Sequence, residues 1–248
     1  MYKIIIPYLA KASQGQELRY AIEGWRRHFK EDHEIIIVGE SCNVFFIEGN
    51  VSFVHSPRVG AKPGSYRQHL DYVSCFTKVY EEKCQGDDGF IFVADDCYAV
   101  NDFTIEDVKS LKMLEPTYNF SHDSPNMWRR DKAKTKDKLL EGGYPTINFT
   151  THLPQWFEWD KLIALWKKYD MYNTSYVFED MYYNIYNKDD KPIQLDRAND
   201  KIKLGIYNKD VSEEEINNAF KNKIWINNSP AGWSKYLDKK LKEHYGLE

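Results

Sequence analysis

Apolar residues recur along the chain in short β-rich runs, separated by segments in which they fall at helical spacing. Residues 3–8 read as a first strand and residues 16–29 as a helix, because Leu18, Ala21, Ile22, Trp25 and Phe29 repeat at three- and four-residue intervals. Residues 34–38 form a second strand that stops at Gly39. Strand, helix and strand in about forty residues make a right-handed parallel crossover, the unit of an α/β nucleotide-binding sheet. Residues 45–47 and 51–54 read as short strands or extended edges. Helical spacing returns over 66–83, with Leu70, Val73, Phe76, Thr77 and Tyr80 on one face. The run Phe90-Ile91-Phe92-Val93-Ala94, preceded by Gly86-Asp87-Asp88-Gly89, is a buried strand that ends in Asp95-Asp96.

The second half is more polar. Residues 105–113 predict a helix that starts at Thr104, with Asp107 as its capping-box partner. Residues 126–138 carry Arg129, Arg130, Lys132, Lys134, Lys136 and Lys138; they read as a solvated face or loop, with a mobile lid over an anionic donor as the functional alternative. After Gly142-Gly143-Tyr144-Pro145 an extended stretch reaches Thr151-His152-Leu153-Pro154. Residues 159–169, 176–186, 212–221 and 234–245 read as helices, the third opened by the box Ser212-Glu213-Glu214-Glu215. There is no internal repeat.

The acid pair changes this picture from architecture to chemistry. Two carboxylates at the carboxyl end of a buried strand, where open α/β sheets place ligands, repel each other and resist desolvation. A divalent cation bridging them to phosphate oxygens removes that penalty; hard oxygen ligands suit Mg²⁺ or Mn²⁺, and a nucleotide most easily supplies the phosphates. By the same switch-point rule, Pro7, Tyr8 and Leu9 line the base or ribose, and Gly39 with Glu40 closes the far side. The turn-rich segment 56–64 brings Arg58 and Lys62, with Arg67 just beyond, toward a diphosphate, solvated surface charge being the alternative.

The 248 residues allow one sizeable core, a single α/β domain with a helical appendage. Aromatic residues make up 15%, and rings with an apolar face and a polar tip suit sugar and base stacking as well as core filling; Trp128, Trp156 and Trp159 are candidate platforms. A formal net charge of −4 gives no global signal for nucleic acid or an anionic membrane. Cys42, Cys75, Cys84 and Cys97 have neither zinc spacing nor the density of a disulfide scaffold, which fits reduced thiols. No window approaches the roughly 18 apolar residues of a spanning helix, so the expectation is a soluble cytoplasmic protein.

Taken in order, Glu17-Leu18-Arg19-Tyr20-Ala21-Ile22, residues 34–40, the strand ending in Asp95-Asp96, Thr151-His152-Leu153-Pro154 and Phe178-Glu179-Asp180 resemble the glycosyltransferase-A fold. Within it they are similar to capsular-polysaccharide-type transferases and to the related Stealth sugar-phosphate transferases. The similarity spans most of residues 1–190 and leaves the tail without a counterpart. It implies a mixed sheet flanked by helices, with a catalytic domain over 1–190 and a helical C-terminal extension, 191–248, packed on it.

The activity implied is metal-dependent transfer of a sugar from a UDP- or GDP-sugar to a glycan or other hydroxyl acceptor, in polysaccharide biosynthesis. The family's acid-any-acid motif reads Asp95-Asp96-Cys97-Tyr98 here, so either acid can be the principal ligand of Mn²⁺ or Mg²⁺ while the other holds ribose or donor sugar. The resemblance makes His152 a third ligand or a diphosphate contact. It also makes Asp180 the base of an inverting displacement, with Glu179 orienting the acceptor or the backbone. Helix-start acids that complement the macrodipole are the plain alternative for that pair. Other readings are a Stealth-like hexose-1-phosphate transfer, a non-catalytic sugar- or nucleotide-binding module and, least favoured because the basic charge is local, glycosylation of modified DNA bases.

Overall fold

The computed structural model describes residues 1–42, 48–59, 61–62, 65–66, 68–196 and 199–247, the backbone alone at 61, 62, 65 and 66. The first half runs β1 (Tyr2–Pro7), α1 (Glu17–His28), β2 (His33–Gly39), β3 (Val51–His55), β4 (Ala61–Lys62), β5 (Ser65–Tyr66), α2 (Gln68–Lys83), β6 (Gly89–Phe92) and β7 (Cys97–Ala99). Next come α3 (Ile105–Lys109), β8 (Lys112–Met113), α4 (Met127–Glu141), β9 (Gln155–Glu158), α5 (Trp159–Lys168) and α6 (Phe178–Tyr186). The tail adds β10 (Ile193–Gln194), β11 (Lys203–Ile206), α7 (Glu213–Asn222), β12 (Trp225–Asn228) and α8 (Lys235–Tyr245). Residues 45–47, expected as a strand, lie outside the described residues.

The main sheet has the order β3-β2-β1-β6-β9, its first four strands parallel and β9 antiparallel to β6. Its central strands are apolar over Ile4–Ile6, Ile35–Val38 and Phe90–Phe92 because both faces are covered there. Ile5, Ile36, Phe90 and Phe92 face a core built with α2, α5 and α6, where Phe76, Leu162 and Phe178 are fully buried. Ile4, Ile6, Ile35, Ile37 and Ile91 face the opposite core with Leu18, Ile22 and Trp25 of α1. Each such side chain contributes roughly 1.5–3 kcal/mol by leaving water.

A second sheet, β11-β12-β7, packs beyond α1. Two of its three strands, β11 at one edge and β12 in the middle, come from the tail, with β12 antiparallel to β7 and parallel to β11. Helix α1 is therefore enclosed on two sides, since Tyr20 and Ala21 join a third core with Tyr98, Ile226, Leu237 and Tyr245. A Cβ on Gly24 would stand 2.8 Å from the backbone nitrogen of Ala99, so glycine is what lets α1 approach β7 this closely. The Tyr245 hydroxyl donates to the Ala99 carbonyl at 2.7 Å, and the Tyr20 hydroxyl to Asp238 at 2.7 Å, tying α8 to both. The tail thus holds strands as well as the two expected helices. Among the described residues, no helix is long and apolar enough to cross a membrane.

Two segments differ from the sequence expectation for identifiable reasons. The Thr104–Asp107 capping box forms, but Ser110 turns extended and ends α3, which frees Lys112 and Met113 to pair with β10. The basic stretch 126–138 is the larger part of α4, started by Asn126, whose Oδ1 accepts from Arg129 N at 3.4 Å. Its polar residues are partly internal. Lys132 Nζ donates to Asp180 Oδ2 and to Asn148 Oδ1, both at 2.6 Å. Ser175 donates to Asp131 at 2.6 Å, and Thr135 Oγ1 accepts from Val177 N at 2.9 Å. A helix can present polar groups to a core when each is paired, and a pattern of apolar spacing does not register such a face.

Candidate active site

The carboxyl ends of β1, β2 and β6 open on a cleft of about 270 Å³. Pro7, Tyr8 and Leu9 follow β1 along one wall, and Gly39, Glu40 and Arg58 form the other. Asp95 and Asp96 also line it, so the residues expected at a nucleotide share one cavity, Lys62 and Arg67 apart. The Lys62 side chain and Arg67 lie outside the described residues. Gly39 has a local reason: a side chain there would meet the Tyr8 carbonyl oxygen at 2.2 Å, and that proximity lets Tyr8 N reach Val38 O at 2.8 Å. Arg58 is steadied by Asp71 of α2, its Nε 3.5 Å from Oδ2, while Val59 N donates to the other carboxylate oxygen at 2.8 Å.

Asp95 and Asp96 are half-buried, reached by solvent from the cleft yet surrounded by protein. Burial raises both above the usual carboxylate range. For Asp95 the neighbouring Asp96 and then Glu17 add to the effect. Asp96 is pushed up to about 7, Glu17 adding to burial and Lys203 opposing it. Glu17, at the start of α1, completes the acidic floor, where its Oε1 accepts from Asn228 Nδ2 at 2.7 Å and its Oε2 from Ser13 at 3.3 Å. Sequence reasoning missed Glu17 as a site residue because it reads as the opening of an amphipathic helix.

The donor set fits a divalent cation that completes its shell with substrate oxygens. Asp96 Oδ1 is buried without a hydrogen-bond partner, and burial and mutual repulsion favour a proton or a cation on the adjacent carboxylates. Among the described residues, no three His, Cys, Asp or Glu side chains converge as a ligand group. His152, expected as a third ligand, lines a different cavity.

That second cavity, about 840 Å³, adjoins the first, with Gln68, Tyr72 and Pro230 bordering both and Ala94 marking where the strand end passes between them. Trp128, Arg129, His152, Glu179 and Tyr207 line it. His152 has a left-handed backbone, φ 54°, a conformation that is sparsely populated outside glycine and is often met at ligand sites. Hydrogen bonds on both sides hold it there: Thr151 N to Phe149 O at 2.7 Å, Leu153 N to Thr151 Oγ1 at 3.3 Å, and Lys203 Nζ to the Thr151 carbonyl. The ring is exposed to the cavity, and the protein atoms crowded around it, then Lys203 and Lys132, lower its pKa. Lys203 also donates to the Tyr207 hydroxyl at 2.7 Å, and burial pulls its ammonium down to about 8 despite Cys97 and Asp96.

The Phe178-Glu179-Asp180 triplet divides differently from the expectation. Asp180 is fully buried; its Oδ2 takes Lys132 and its Oδ1 takes Phe149 N at 2.9 Å, leaving no face toward either cavity. It joins α4, the 148–150 segment and α6, which is not the placement of a base. Glu179 faces the second cavity, and burial, reinforced by Asp180, pushes it up to about 8. Of the three tryptophans, Trp128 lines that cavity. Trp159 is buried against Phe90 at 4.2 Å between ring centroids, and Trp156 packs on Tyr2 and under Lys109, so both are core groups rather than sugar platforms. His69, Tyr207 and Pro230 were not singled out in the sequence; His69 and Asp71, polar residues on an otherwise apolar helix face, were the signal available.

No family model matches the chain, and no curated protein is significantly similar to it. Solved structures do match over nearly the whole length. The glycosyltransferase involved in glycosylation of the major capsid of PBCV-1 is 12% identical, with 99% of each chain covered and a TM-score of 0.42. An active-site mutant of LgtC is 8% identical, with 98% of this chain and 95% of that one covered and a TM-score of 0.47. The 4-diphosphocytidyl-2C-methyl-D-erythritol synthase from Anaerococcus prevotii DSM 20548 is 12% identical, with 88% and 94% covered and a TM-score of 0.47. The chain is thus similar in fold to solved glycosyltransferases and to that synthase, at low identity.

Proposed function

We propose that the protein transfers a sugar from a nucleoside-diphosphate donor to a hydroxyl acceptor, with Glu179 as the base in place of Asp180. The observation that carries this is the pair of adjoining cavities at the end of β6, one with an acid pair and strand-end walls, the other with a carboxyl group and an aromatic platform. The first suits a nucleotide, whose base and ribose lie against Tyr8 and Gly39 and whose diphosphate lies toward Arg58 and Asp95-Asp96. Those two aspartates would hold Mn²⁺ or Mg²⁺, which when bound supplies Lewis-acid stabilisation of the departing diphosphate.

The second cavity suits a saccharide acceptor. Trp128 offers an apolar face, while Arg129, His152 and Tyr207 offer hydrogen bonds along its sides. His152, aimed by its constrained backbone, hydrogen-bonds the donor sugar or the diphosphate. Glu179 accepts the acceptor's proton while the hydroxyl oxygen attacks the anomeric carbon opposite the departing diphosphate, a single displacement that inverts its configuration.

A screen of UDP- and GDP-sugars, read as thermal stabilisation with and without Mn²⁺, tests the donor cleft, because preferential binding to the folded form raises the melting temperature. The expected result is a Mn²⁺-dependent rise that disappears in D95N and D96N, together with release of nucleoside diphosphate when an acceptor is supplied. Release of nucleoside monophosphate instead would establish sugar-phosphate transfer. Donor turnover that is unchanged in both variants would remove the metal from the mechanism.

A further inference from the structure

The second cavity contains a polar notch whose members the fold leaves unpaired. His69, in the first turn of α2, and Glu179, in the first turn of α6, are both buried, at 3% and 6% exposure, and both line the cavity. His69 Nδ1 stands 3.9 Å from Glu179 Oε2, too far for a hydrogen bond. Among the described residues neither ring nitrogen of His69 has a hydrogen-bond partner, nor does Glu179 Oε2. Buried polar atoms left this way are uncommon and cost stability unless a ligand or water satisfies them.

The ring sits between two aromatic side chains. It packs edge-on against Tyr72, 5.9 Å between centroids, and against Phe178 at 6.3 Å. The charges that act on the pair are Lys132 of α4 and Asp180 of α6, which are bound to each other behind it. Burial and Lys132 keep the ring neutral, so one of its nitrogens carries a hydrogen and the other a lone pair. These atoms are closed to solvent, so an oxygen reaches about 2.8 Å from both Nδ1 and Oε2, subtending roughly 90° between them, only when the two side chains shift slightly apart.

We infer that this notch seats the reacting hydroxyl of the acceptor, with Glu179 taking its proton and His69 Nδ1 fixing its oxygen. The inference rests on the transfer reading above and adds a residue to it. In the step, the acceptor O–H bond breaks and its proton passes to the Glu179 carboxylate. The acceptor oxygen forms a bond to the anomeric carbon, and the bond from that carbon to the diphosphate oxygen breaks with its electron pair. His69 exchanges no proton; it holds the oxygen in line.

Three variants test it: H69F, which removes both nitrogens, H69N, whose amide falls near the place of Nδ1, and H69Q, whose amide falls near Nε2. In H69F the acceptor KM should rise and kcat fall, together lowering transfer by about tenfold or more, while stabilisation by donor and Mn²⁺ stays as in the parent. H69N should recover most of the loss and H69Q little. If H69F does not fold, the contrast between H69N and H69Q decides. Transfer at the parent rate in H69F, or equal transfer by H69N and H69Q, would overturn the notch.

A second readout does not need turnover. In protein labelled with ¹⁵N-histidine, the His69 ring signals, assigned by their loss in H69N, should move in E179Q. Movement without turnover of any donor would uphold the pair and sink the transfer reading. A ring that does not respond to E179Q would sink the pair, whatever the enzyme does.

Discussion

Glu179 and Asp180 are neighbours in sequence with opposite fates, and a single helical step of about 100° decides which is which. Asp180 turns inward to Lys132 and loses all contact with solvent, while Glu179 is carried to the cavity wall. A base acts in its deprotonated form. Since burial holds Glu179 neutral up to about pH 8, transfer should rise with pH and level off above that value. A pH–rate profile under saturating donor checks this, and E179Q should lower kcat by about 10²-fold or more while removing that limb. A profile flat from pH 6 to 9 would exclude Glu179. The sequence identified the triplet but not its division, because burial depends on what α4 brings behind the helix.

Strands β1, β2, β3 and β6 and helix α1 were legible because apolar runs and helical spacing record burial directly, and the strand ends placed Tyr8, Gly39 and Asp95 in one cleft. Helix α4 was not, since its inward face is made of Asp131, Lys132 and Thr135, each satisfied by a partner remote in sequence. Such a face is costly to break. Replacing one member of a buried ion pair leaves the other charge stranded, so K132M and D180N should each destabilise the fold by about 3–5 kcal/mol. Denaturant melts check the size, and the double variant K132M/D180N should lose less than the two single losses combined. Strict additivity would mean that the pair contributes little to joining α4 and α6.

At the scale of the molecule, the tail is part of the same body as the two cavities. It supplies β11 and β12 to the sheet with β7, Asn228 to the acidic floor, and Pro230 to the border of both cavities. A chain cut after residue 190 should therefore neither bind a nucleotide nor unfold in one cooperative step; circular dichroism melting and donor-dependent stabilisation check both. Normal donor binding by the shortened chain would show the tail to be an accessory. The tail gave no motif because what it contributes is edge pairing and packing, which depend on strand register more than on residue identity.

The pairing of Cys97–Ala99 with a strand near the end of the chain also sets a time order. During synthesis the amino-terminal crossover can form early, but Asp96 and Glu17 meet Asn228 only once β12 has left the ribosome. An acidic pocket without its last wall is open to water on that side. Under the transfer proposed above, a nascent chain that still lacks β12 cannot close the cleft around its donor.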